Sequence, residues 1–217
     1  RCVIIKQYSP DDDSSMYEIF YRLNTGGVNL TPQEIRGSIY HSKFYDLLYK
    51  INLDARWRSI TQPNPDLHMK DIEILVRGFA MLINGESYNP SMIKFLNIFS
   101  KKAKENSDET NQYLEKLFYA FLDACKDLPK DSFLSQTCKF SVSMYEAIFA
   151  AICSNAYNAK NLEVPKLTSD KLKQLKDDTK FSEATKRQTT SRKNVLLRIQ
   201  KAREKLLKAK IQTANIL

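Results

Sequence analysis

Residues 16–36 read Met-Tyr-Glu-Ile-Phe-Tyr-Arg-Leu-Asn-Thr-Gly-Gly-Val-Asn-Leu-Thr-Pro-Gln-Glu-Ile-Arg, and this stretch encodes a helix, a glycine turn and the start of a second helix. Ser15 and Glu18 have the spacing of a capping box, and Met16, Ile19, Phe20 and Leu23 recur at the interval that builds one apolar helix face. The helix is expected to stop at Asn24, because Gly26 and Gly27 accept positive φ without a Cβ clash. Thr31 as N-cap, Pro32 at the first helical position and Glu34 three residues after the cap then predict a new helix.

Outward from this unit the pattern stays helical. Tyr40, Phe44, Leu47, Leu48 and Ile51 share a face, whereas Arg56 to Leu67 reads as irregular because Pro63 and Pro65 interrupt it. Further helices are expected over about 68–83, after Pro90, over about 109–128, over about 140–157 as the central apolar element, and over about 190–210. Arg77 reads as a partly buried ion-pair partner, with Asp71 and Glu73 near it in sequence, and Trp57 as an aromatic anchor fastening a loop to the core.

The 217 residues are 42% apolar, enough for a folded globular core. The longest uninterrupted apolar run, Ala147 to Cys153, falls far short of the roughly 18 to 20 residues of a membrane span. Cys2, Cys125, Cys138 and Cys153 never approach metal-ligand spacing and read as reduced core thiols of a cytoplasmic protein. The net charge of +9 is concentrated after residue 162: residues 163–217 hold 15 Lys and Arg against 6 Asp and Glu. The chain therefore divides by composition into a helical part, 1–162, and a semi-independent basic helical part, 163–217.

Chemistry-bearing motifs are few. His41 and His68 are the only histidines and neither has metal-ligand spacing, so no HNH-type nuclease centre can be assembled; no Ser-His-Asp arrangement, nucleophile elbow or phosphate-binding P-loop occurs. Asn24, Thr25, Gly26 and Gly27 admit two readings, a plain helix end and turn, or a small nest of backbone N–H groups that holds an anion with Arg22 or Arg36 supplying charge. In the last helix Val195, Ile199, Ala202, Leu206 and Ala209 form a docking stripe. Lys186, Arg187, Arg192, Lys193, Arg198, Lys201 and Arg203 are the candidate DNA contacts of this basic region, with a merely solvated face as the alternative.

The run Ile19 to Gly27, with Leu30-Thr31 and Gln33-Glu34-Ile35-Arg36, resembles the signature of the N-terminal domain of GmrSD-type modified-DNA restriction enzymes. Weaker similarity continues through 69–82, 92–97 and 192–202. Members of that family carry a ParB/sulfiredoxin-like α/β region with an Asp-Gly-Gln-Gln-Arg nucleotide box ahead of this phrase; the box does not occur here.

The resemblance implies a mainly α, multi-helix domain that is the later part of such a protein, with 1–6 as a strand remnant of the upstream region. It implies that Arg22, Asn24, Thr25, Gly26, Gly27 and Arg36 frame a nucleotide pocket completed by the upstream box, with a nucleoside triphosphate as ligand and DNA as partner. Catalysis by this piece alone is not expected. The rival expectation is a non-enzymatic module that binds a partner protein.

Overall fold

The computed structural model describes residues 14–23, 30–135 and 137–207. The protein is mainly α, with eleven helices among the described residues. The expected strand at 1–6 and the Asn24-Thr25-Gly26-Gly27 loop lie outside those residues, as does the Ser15 side chain. Among the described residues no strand forms, and one antiparallel bridge pairs Leu134 with Phe140.

The first half comprises α1 (Ser14–Leu23), α2 (Pro32–Ile39), α3 (Lys43–Asn52), α4 (Ala55–Ile60), α5 (Lys70–Asn84) and α6 (Met92–Ala103); α7 (Asp108–Ala124), α8 (Val142–Ala159), α9 (Ser169–Lys176), α10 (Thr179–Lys186) and α11 (Arg192–Leu207) complete it. Helix α4 corrects the expectation of an irregular 56–67. Asp54 accepts from Arg56 N at 2.8 Å as an N-cap, so one and a half turns form before the prolines act.

Helix α8 is the axis of the molecule. Its sequence is apolar on nearly every side, as a helix must be to lose all contact with water, and Tyr145, Ala147, Ile148, Phe149, Ala151 and Ile152 are completely buried. Helices α5 and α11 flank it. Close approach of α5 requires Gly78, since a Cβ there would stand 2.5 Å from the Tyr145 hydroxyl. Around this crossing Phe79, Phe118, Phe121 and Phe149 pack with ring centroids 5.0–5.8 Å apart, and Trp57 meets Tyr145 at 5.1 Å. Trp57 is thus the expected anchor, fully buried.

The core does not respect the compositional break at residue 162. Leu167, Leu172, Leu175, Phe181, Val195, Ile199, Ala202 and Leu206 belong to the same buried cluster as α5 and α8. The buried core is therefore continuous across residue 162, because the apolar stripe of α11 leaves water against α8. No helix among the described residues is long and apolar enough to cross a membrane.

Candidate functional site

The start of α2 folds by local rules. Thr31 Oγ1 accepts from Glu34 N at 3.2 Å while a Glu34 carboxylate oxygen accepts from Thr31 N at 2.6 Å, closing the expected capping box. These bonds hold the Glu34 carboxyl below the usual carboxylate range, with the His68 ring 3.4 Å away adding to the effect. Thr31 also donates its hydroxyl to the His68 carbonyl at 3.1 Å, which ties α2 to the turn ahead of α5.

That orientation turns Gln33 and Arg36 inward, where both are buried. Arg36 Nε donates to Asn97 Oδ1 at 2.9 Å and Nη1 donates to Gln33 Oε1, while the nearest carboxylate oxygen, on Glu73, is 3.7 Å from Nη1. Arg36 Nη2 and Gln33 Nε2 have no hydrogen-bond partner. A guanidinium buried on amide oxygens with its carboxylate beyond hydrogen-bond reach is an incompletely compensated charge.

Both residues line a cleft of about 910 Å³ between α2, α5, α6 and the 134–142 segment. Lys70, Arg77, Lys139 and His68 add basic groups, and Asp66, Asp71 and Glu73 add acidic ones. Asp71 is already engaged: its Oδ2 accepts from Asn52 Nδ2 at 2.8 Å, Arg58 Nη1 at 3.1 Å and Asp66 N at 3.0 Å. Asp66 likewise caps the turn through His68 N at 2.8 Å. The remaining wall is apolar, from Ile74, Met92, Ile93, Leu96, Leu134 and Phe140.

Cys138 also lines the cleft and is exposed, with φ of 54°, which corrects its reading as a core thiol. The turn between the bridged Leu134 and Phe140 carries it outward. Cys125 and Cys153 are free and buried as expected, and burial raises both thiols well above their usual range; Cys2 lies outside the described residues.

Arg22 sits on α1 with the Glu18 carboxylate 3.8 Å away and is not among the described residues lining the cleft. Of the nucleotide-loop candidates, the structure thus brings Arg36 alone to a described site. Arg77 does form a buried ion pair, but with Glu146 of α8 at 2.9 Å rather than with an acidic neighbour in sequence.

Glu146 also receives Arg198, whose Nη2 donates to Oε1 at 2.6 Å and whose Nη1 donates to the Ala184 carbonyl at 2.8 Å. Arg198 is completely buried, so it is not a DNA contact. The sequence carried the signal: Arg198 stands three residues after Val195 and four before Ala202, inside the apolar stripe. Glu146, a lone carboxylate in an apolar helix, marked the other half.

The other tail candidates divide into two groups. Arg192 donates to the Tyr88 carbonyl at 3.0 Å, Lys201 lies 3.2 Å from Glu204 and 3.5 Å from Asp178, and Arg203 lies 3.3 Å from Glu86. Lys186, Arg187 and Lys193 are exposed and gather, with Lys180, at the junction of α10 and α11. Among the described residues, no group of three or more His, Cys, Asp or Glu side chains is arranged to hold a metal ion. No family model matches this chain, and neither does a curated protein or a solved structure.

Proposed function

We propose that this chain is the helical part of a nucleotide-sensing, DNA-associated module of a prokaryotic defence protein of the GmrSD-like kind, not catalytic by itself. The observation that carries the reading is Arg36: a buried guanidinium with an unpartnered Nη2 on the wall of a large cleft, in the very segment that resembles the family signature. Inside a low-dielectric wall its charge reaches across the cleft, and a polyphosphate there would add to the counter-charge that Glu73 supplies only at 3.7 Å. Lys70 and Lys139 at the same cleft offer direct contacts to phosphate oxygens. The upstream nucleotide box would hold the remainder of the ligand.

Calorimetric titration with nucleoside triphosphates tests this, with the chain alone and with a box-bearing region supplied. Saturable binding weakened tenfold or more by Arg36→Gln supports the reading, at about 1.4 kcal/mol per tenfold. Absence of saturable binding in both forms overturns it. A second reading rests on the apolar wall of the cleft, where Ile93 is 42% exposed: a partner protein would lay an apolar segment there. It gains if a partner occupies the cleft while nucleotides do not.

A further inference from the structure

The charges of the C-terminal region are sorted by the fold. Arg198 is consumed in the core, and Arg192, Lys201 and Arg203 have partners within the molecule. The exposed cations Lys180, Lys186, Arg187 and Lys193 instead share one groove of about 720 Å³ with a single carboxylate, Glu183. Lys186 also borders a second groove, of about 380 Å³, whose walls carry Lys176 and the hydroxyls of Ser135, Thr137, Ser182 and Thr185. The two grooves therefore form one surface.

Hydrogen bonds from neighbouring side chains hold the backbone of this elbow. Arg198 Nη1 and Ser143 Oγ donate to the Ala184 and Thr185 carbonyls at 2.8 and 3.2 Å, and Asn194 Nδ2 donates to the carbonyls of Arg187 and Gln188 at 2.9 and 3.3 Å. The Ala184 and Thr185 carbonyls near the end of α10 are thereby satisfied, and the cationic side chains gather without an ion-pair partner among the described residues. Lys193 also stands in the first turn of α11, which contains no acidic residue. A cation at the positive end of a helix is electrostatically unfavourable, and an external anion relieves it.

We propose that the α10–α11 elbow, through Lys180, Lys186, Arg187 and Lys193, docks the phosphate backbone of duplex DNA. The proposal rests on the DNA-associated part of the function above and assigns it a surface. Clustered cations beside short hydroxyl side chains suit phosphate and sugar contacts, which position a duplex without reading its sequence. Neither groove is lined by an exposed aromatic ring, which single-strand stacking needs. Among the described residues, none of the exposed large apolar ones, Met16, Leu53, Leu67, Ile93, Ile98 and Leu162, belongs to the elbow, so these supply no anchor for a lipid surface there.

Fluorescence anisotropy with two duplexes of unrelated sequence over a salt series tests the assignment. The parent is expected to bind both alike. The quadruple variant Lys180→Gln, Lys186→Gln, Arg187→Gln, Lys193→Gln should lose most of its low-salt affinity, and the log–log salt slope should shrink by roughly 0.9 for each phosphate contact removed. The control Lys201→Gln, Arg203→Gln should retain the parent slope, with circular dichroism melts confirming that both variants fold. Loss in the control with retention in the quadruple variant overturns the elbow and leaves the DNA reading standing. A parent that binds no duplex, or binds only phosphatidylserine vesicles, overturns both.

Discussion

Arg36 and Arg198 are equally buried, each without measurable exposure, yet their surroundings give them different meanings. Arg198 meets a carboxylate at 2.6 Å and a backbone carbonyl at 2.8 Å, so its charge is answered by a carboxylate in hydrogen-bond contact, although its Nε, like Arg36 Nη2, has no partner and burial pulls its pKa down. Arg36 meets two side-chain amides, with Glu73 at 3.7 Å and one nitrogen unpartnered. A buried cation with a carboxylate in hydrogen-bond contact belongs to the architecture. One whose carboxylate stands at 3.7 Å is the residue on which the proposed ligand pocket rests.

The contrast breaks most directly at Glu146, which serves two guanidiniums. Glu146→Gln should destabilise by on the order of 4 kcal/mol in urea unfolding, since it strands Arg77 and Arg198 together. A loss below about 1 kcal/mol, the scale of an ordinary hydrogen bond, would show that the cluster is not a compensated ion network. Arg198→Met should cost about 3 kcal/mol, somewhat less than Glu146→Gln, because Glu146 keeps Arg77.

Arg36→Met sharpens the comparison from the other side. Its removal leaves amides rather than a stranded carboxylate, so a cost of about 1 kcal/mol is expected from the same denaturation experiment. If Arg36→Met costs as much as Arg198→Met, Arg36 is structural and the cleft loses its argument.

The smallest effect is at the capping box that orients Arg36. The folded-state pKa of Glu34 is lowered, so its contribution is present above the ordinary carboxylate value of 4.5 and is lost as pH falls through the folded value. Glu34→Gln should therefore cost about 0.5 kcal/mol near neutrality, and the difference from the parent should vanish in acid. A gap that persists unchanged in acid would assign the loss to something other than the carboxylate.

These residues also show what a sequence can disclose. The Thr31–Glu34 box was legible because both partners lie within one helical turn, and the mainly α class followed from apolar spacing repeated along the chain. Helix α4 was missed because Pro63 and Pro65 outweighed the Asp54 cap that precedes them. Cys138 was misplaced because the four cysteines were read together, although its neighbours Gln136, Thr137 and Lys139 are polar and agree with an exposed turn.

By itself the sequence determined the mainly α class and most of the longer helices, the docking stripe of α11 and the concentration of positive charge after residue 162, all consequences of periodicity and composition. Only the tertiary structure decided which of those charges remain available. Glu146 and Arg198 are 52 positions apart, Arg36 and Asn97 are 61, and no local pattern connects them. Their pairing depends on helices brought together by burial of apolar surface, which selects partners by position in space and leaves the elbow cations among the exposed ones.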